Sequence, residues 1–136
     1  MKYTVIIASL ALLALSSCED DESGEPFLLE EGTYTGSFSR SSPNTRWLGA
    51  NVTLTFENGR FSGSSDQEKY PAICEGTYQV VGSNEITFEN SCVWTAEFDW
   101  TFILGGEFRI SEQDQKLVIT REYEGEVIDT YELTLE

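Results

Sequence analysis

The stretch Cys74-Glu75-Gly76-Thr77-Tyr78-Gln79-Val80-Val81-Gly82-Ser83-Asn84-Glu85-Ile86-Thr87-Phe88-Glu89-Asn90-Ser91-Cys92 decides the fold. Gly82-Ser83-Asn84 reads as a three-residue loop between two alternating segments. Folding the chain about Ser83 pairs Val80 with Ile86, Tyr78 with Phe88 and Cys74 with Cys92. Side chains alternate along a strand, so all three pairs fall on one face. The apolar register and the cysteine spacing are independent signals, and they agree. The prediction is an antiparallel hairpin closed by a Cys74–Cys92 disulfide. Closing a loop of this size contributes about 3 kcal/mol in the chain-entropy account. A slip of one residue would separate the thiols and turn the apolar set outward.

The same period of two runs outward in both directions, with turn residues every eight to twelve positions. Upstream, Gly32-Thr33-Tyr34-Thr35-Gly36-Ser37-Phe38 alternates, with Tyr34 and Phe38 on one side. Val52, Leu54 and Phe56 alternate with Asn51, Thr53 and Thr55, and Asn58-Gly59 supplies a type I′ turn that sets Phe56 opposite Phe61. Downstream, Trp94, Ala96, Phe98, Trp100, Phe102 and Leu104 share one parity, which predicts a long strand over 93–104, or two joined at a bend. Keeping Phe108 and Ile110 on the apolar side then requires a three-residue turn centred on Gly105. The last hairpin folds about Gly125 and pairs Tyr123 with Val127, Arg121 with Asp129, Ile119 with Tyr131, and Leu117 with Leu133. Arg121 and Asp129 therefore share the apolar face. A charge goes inward only with a partner, so they are read as a structural ion pair near a barrel mouth or under a loop. The fold class is all-β: an antiparallel up-and-down meander of eight or nine strands, with no helical stretch after residue 17. Closure into a barrel removes the exposed edges of such a meander.

The N-terminus carries a different message. Met1-Lys2, an apolar run over 3–15 and Leu15-Ser16-Ser17-Cys18 follow in order. The run is shorter than the roughly 20 residues of a permanent membrane span and has the size of a secretory signal core. Its end resembles the lipobox of bacterial lipoprotein precursors. That resemblance implies cleavage before Cys18, lipidation of Cys18 and a membrane partner through the lipid anchor. Residues 1–17 are thus the expected signal peptide, 18–31 a lipidated acidic tether and 32–136 the barrel domain. The run Glu19-Asp20-Asp21-Glu22-Ser23-Gly24-Glu25-Pro26 has no apolar residue and cannot pack a core. It resembles the surface-export signal of Bacteroides-group lipoproteins, which implies an outer-membrane, cell-surface location.

Composition narrows the function. Cleavage before Cys18 removes 17 of the 136 residues and leaves 119, one domain of ordinary size. Loss of Lys2 leaves 7 basic against 24 acidic side chains, a formal charge of −17. Nucleic acid and anionic lipid are repelled by such a chain, and a steered partner is cationic. The sequence has no histidine, which removes Ser-His-Asp and Cys-His catalysis and histidine-based zinc sites. Glu97 and Asp99 lie two apart on one face of a single predicted strand, unlike the carboxylate pair that flanks a glycosidic bond in a cleft. Asp20, Asp21, Asp66 and Glu68 form no calcium-loop motif. The expectation is a non-enzymatic protein without cofactor or metal.

Gly32-Thr33-Tyr34 at the first strand, Arg121 near the end of the pattern and the simple succession of strands together resemble the lipocalin-like (calycin-type) domains of Bacteroides-group lipoproteins. Tyrosine stands where lipocalins have tryptophan. The resemblance implies a lipocalin-like barrel in which Arg121 packs on Tyr34, a cation–π contact. Eight strands suffice either to fill a barrel with side chains or to hold one small ligand.

Tyr34, Tyr78, Phe88, Trp94, Phe98, Trp100, Phe102 and Arg121 are the candidate ligand-lining residues, for a small apolar or glycan ligand. A domain of this size also needs these aromatics for its core, and that reading outweighs the first. Arg40, Arg46 and Trp47 around Pro43, with Tyr70-Pro71, are a candidate recognition rim. The expected function is capture of a small apolar or glycan ligand by a membrane-anchored barrel. The alternative is an envelope interaction protein, such as an inhibitor of a secreted cationic hydrolase (lysozyme or protease).

Overall fold

The structure, a computed structural model, describes residues 24–95 and 97–136; the signal segment, Cys18, Asp20, Asp21 and Ala96 lie outside the described residues. Among the described residues eight strands follow one another: β1 (Gly32–Ser41), β2 (Ala50–Glu57), β3 (Arg60–Ser65), β4 (Glu75–Val81), β5 (Glu85–Asn90), β6 (Gly106–Gln113), β7 (Lys116–Tyr123) and β8 (Val127–Leu135). Each pairs antiparallel with the next, and β8 returns to β1, so the meander closes into a barrel compatible with the lipocalin-like architecture.

The hairpin registers are those the sequence predicts. Phe56 faces Phe61 across Asn58-Gly59, whose φ values of 50° and 74° are both left-handed, as a type I′ turn requires. Val80 faces Ile86 and Tyr78 faces Phe88. Cys74 and Cys92 lie just beyond that ladder and form the predicted disulfide, with Cα atoms 6.3 Å apart. Tyr123 faces Val127, Ile119 faces Tyr131 and Leu117 faces Leu133.

Residues 93–104 depart from the expectation. Among the described residues of that run no strand forms, and Trp100–Phe102 makes a 3-10 turn within a long connection. Local hydrogen bonding competes with strand pairing here. The Asp99 carboxylate accepts from the Thr101 amide (2.9 Å) and hydroxyl (2.6 Å), and Ile103 N–H donates to Trp100 O (3.1 Å). The predicted turn at Gly105 is absent too. Gly106, at φ 88°, is instead the first residue of β6 and faces Phe88. Alternation in the run marks no ladder, because β5 already has its partner in Glu107 and Phe108.

The barrel has two unlike ends. The turns at 58–59, 82–84 and 114–115 gather at one, the hairpin end. The connections 42–49, 66–74 and 91–105, with the 124–126 turn, gather at the other, the loop end. The N-terminal segment lies against the hairpin end. Phe27 N–H donates to Gly82 O (2.9 Å), Tyr34 O–H to Glu30 O (2.7 Å), and Phe27 and Leu29 pack on the core.

Inward-facing side chains fill the space between. Rings meet from end to end at centroid spacings suited to edge contacts: Tyr34–Phe56 5.7 Å, Phe56–Phe88 6.3 Å, Phe88–Phe108 5.5 Å, Phe108–Tyr131 6.2 Å and Tyr131–Phe38 4.9 Å. Phe38 then meets Tyr70 at 5.3 Å and Phe102 at 6.2 Å under the loop end.

Burial pushes the Tyr131 phenol far above its ordinary value, and it is also the leading cause of the upward shifts of Tyr34, Tyr70, Tyr78 and Tyr123. The folded state therefore holds these protons while the unfolded chain releases them near the ordinary tyrosine value of 10.0. Their contribution to stability is complete below that value and is lost as pH rises above it. Urea midpoints are expected to fall between about pH 9 and about pH 11. Tyr131→Phe should flatten that fall. An equally steep fall in the variant would assign the effect to general charge repulsion instead.

Candidate functional site

The loop end is held shut by a buried charge network. Arg40 enters on β1 and Asp129 on β8, directly opposed in the ladder and 5 % and 2 % exposed. The guanidinium donates through Nε to Asp129 Oδ1 (2.6 Å) and through Nη2 to Oδ2 (2.8 Å), a bidentate pair. Its Nη1 donates to Thr101 Oγ1 (2.9 Å), and the group lies 3.7 Å from the Phe102 ring centre. Burial alone would lower the Arg40 pKa; hydrogen bonding and charge pairing with Asp129 outweigh it and hold the pKa above its ordinary value. The Thr101 hydroxyl and amide hold the Asp99 carboxyl below the usual range, against a smaller opposing effect of burial, and Arg40 adds to the lowering.

The predicted Arg121–Asp129 ion pair is corrected here. The two residues are register partners on β7 and β8, as expected, but Asp129 takes Arg40. Arg121 turns to the overlying connection and donates to the carbonyls of Gly105 (2.5 Å), Thr101 (3.1 Å) and Ile103 (3.4 Å). Tyr123 O–H reaches the same Thr101 carbonyl at 2.8 Å. Two arginines and a tyrosine thus converge on one carbonyl and fasten the 99–105 segment across the barrel mouth. The implied packing of Arg121 on Tyr34 is also absent. Tyr34 lies at the hairpin end, whereas Arg121 lies at the loop end, over Phe108 (4.1 Å) and Tyr123 (4.8 Å).

The candidate lining residues separate into two groups. Tyr34, Tyr78 and Phe88 belong to the ring-filled interior or pack on it. Trp94, Phe98, Trp100 and Phe102 lie on the 91–105 connection. Trp94 meets Phe98 edge-on at 5.8 Å, Phe102 covers Phe38, and Trp100 is 55 % exposed. They do not line one common cavity. Glu97 and Asp99 lie on the same connection, exposed to solvent.

The rim reading is met in part. Arg40 is consumed by Asp129, and Arg46 bridges back to Ser41. Trp47 and Tyr70, from different connections, do come together. They line an open groove with Leu48, Gly49, Gln67 and Glu68. Leu48, 89 % exposed at its lip, escaped the sequence reading because a single leucine in a polar loop carries no periodicity. Among the described residues, no group of three or more His, Cys, Asp or Glu is placed to hold a metal ion. No protein-family model matches the chain, and no curated protein or solved structure is significantly similar to it.

Proposed function

We propose that this chain is an envelope lipoprotein, anchored in the outer membrane through a lipid on Cys18, that acts without catalysis by recognising a partner at the loop end of its barrel. The observation that carries this reading is the division of labour between the two ends. The chain reaches the barrel from Cys18 at the hairpin end, where Phe27 is tied to Gly82. An extended segment from Cys18 to Phe27 spans about 30 Å at most, so the hairpin end stays near the membrane. The long connections project from the opposite end and carry apolar tips, Leu48 at 89 %, Val93 at 99 % and Trp100 at 55 % exposure. Binding is usually built on loops that a rigid scaffold positions.

The ring-filled interior favours a surface partner over an enclosed ligand. The strongly acidic surface suits a cationic one, such as a secreted basic hydrolase that the protein would restrain. A second reading, capture of a small apolar or glycan ligand, draws support from the Trp47–Tyr70 groove, whose lining combines aromatic residues with the amide-bearing Gln67 and the carboxylate-bearing Glu68. The lack of any histidine supports a non-enzymatic role.

Native mass spectrometry of the intact protein, extracted in mild detergent from its own cells, tests the proposal. The expected result is an acylated chain beginning at Cys18 with an associated molecule that Trp100→Ser or Trp47→Ala releases. An unacylated chain would remove the anchor. A bare acylated chain in repeated preparations would remove the recognition role.

A further inference from the structure

We infer that the groove between the 42–49 and 66–74 connections receives a cationic side chain, the ammonium or guanidinium of an exposed lysine or arginine on a partner protein. The inference rests on the reading of the loop end as the recognition end, and it names the chemistry recognised there.

The groove is built on a fixed frame. Trp47 N–H donates to Arg40 O (3.2 Å), next to the buried Arg40–Asp129 pair. The Tyr70 carbonyl accepts from Ser65 Oγ (2.8 Å), and Tyr70 N–H donates to Gln67 O (3.2 Å). The Tyr70 ring rests edge-on against Phe38 at 5.3 Å and tilted against Phe102 at 4.9 Å. The backbones of both connections are therefore tied to the barrel, and Tyr70 anchors its own connection by burying its ring against Phe38 and Phe102.

Its charge is unbalanced. Glu68 is the only ionised group among the six lining residues, and the lining holds no lysine or arginine. Among the described residues both salt bridges belong to Arg40, so Glu68 has no ion-pair partner. The adjacent Lys69 does not supply one. Its ammonium lies 5.1 Å from the Phe98 ring centre and 3.5 Å from Thr95 Oγ1, on the 91–105 connection. A groove lined by Trp47, with one carboxylate that no described cation neutralises, fits a cation, which an indole and a carboxylate both attract. The chain's formal charge of −16 raises the local concentration of cations and repels anions. A protein side chain is the occupant favoured over a free small cation, because Leu48, Val93 and Trp100 stand exposed at the same end and offer apolar contact to a larger surface.

Calorimetric titration of the full lipidated protein in detergent micelles tests this, with a short lysine-rich peptide and the same peptide fully acetylated on lysine as probes. Trp47→Ala, Glu68→Gln and lysine acetylation should each weaken binding about tenfold. Glu57→Gln, at the hairpin end, removes an equal charge and should leave binding unchanged. Equal binding by wild type, Trp47→Ala and Glu68→Gln overturns the groove. In that event loss of binding in Val93→Ser or Trp100→Ser keeps the loop end as the recognition end, whereas no loss in either overturns that reading as well. Binding of a chito-oligosaccharide that depends on Trp47 but ignores Glu68→Gln, with no peptide binding, overturns the choice of a cation.

Discussion

Replacing Asp129 with alanine should lower the unfolding free energy by about 3–5 kcal/mol, the cost of leaving a buried charge without its partner. Arg40 is only 5 % exposed and spends two of its donors on the Asp129 carboxylate, at 2.6 and 2.8 Å. No described acid replaces Asp129: Asp99 stands 3.5 Å from Nη1, more than half exposed, with its Oδ1 engaged by Thr101. The double variant Arg40→Met/Asp129→Leu should recover much of the loss, since apolar groups of similar size carry no desolvation penalty. Arg40 also holds Thr101 through its hydroxyl and carbonyl, so amide exchange over 99–104 should quicken in Asp129→Ala before global unfolding. Urea melts of the two variants decide the matter. A single-variant loss of under about 1 kcal/mol would mean that the pair behaves like a solvated surface bridge.

That network also shows how far the sequence could be read. Placing Arg121 opposite Asp129 was correct as register, because a two-strand hairpin is a local object. Pairing them was not, because barrel closure brings in a third strand. Asp129 has a cross-strand neighbour on each side, Arg121 on β7 and Arg40 on β1, 89 residues away in sequence. Nothing local to the last hairpin announces that second neighbour. The Cys74–Cys92 bridge was legible for the opposite reason: its two residues extend one hairpin ladder, and the apolar pattern fixes that ladder's register. The 93–104 run misled because alternation reports spacing along the chain and not the presence of a free partner strand. Its apolar residues satisfy themselves by covering the barrel mouth, where Phe102 lies over Phe38 and under Arg40.

The candidate site was half visible on the same grounds. Trp47 and Tyr70 were singled out by residue type on long loops, and the fold brings them to one groove. The row from Trp94 to Phe102 was singled out by periodicity, and the fold disperses it. Residue chemistry on loops survived the passage to three dimensions better than spacing did, because the loops are held by a frame they do not themselves specify. The same frame explains why an acidic chain buries Arg40 and half-buries Arg121. Arg40 pairs with Asp129 and Arg121 with the carbonyls of the 101–105 segment, so both arginines serve to close the mouth of the barrel.

Gly36→Ala should be among the most damaging conservative changes in the chain, costing about 3 kcal/mol or more through overpacking. Gly36 lies in the middle of β1, on the inward side between Tyr34 and Phe38, facing Leu133 of β8. A Cβ there would collide with the carbonyl oxygen of Glu132, which is backbone and cannot step aside without opening the seam that closes the barrel. Gly76 on β4 has the same relation to the Glu89 carbonyl. These two glycines let neighbouring strands approach where the sheet coils to close, a use of glycine that alternation alone does not reveal. Gly59→Ala provides the contrast. Gly59 has a left-handed φ of 74° but nothing within 4 Å of its missing Cβ. Its replacement should cost about 1–2 kcal/mol, the penalty for a left-handed non-glycine residue. Thermal and urea melts should therefore rank Gly36→Ala well below Gly59→Ala, although only Gly59 has an unusual backbone angle. If the order were reversed, conformational freedom and not strand approach would limit the fold, and the β1–β8 closure would be looser than the pairing of Gly36 with Leu133 implies.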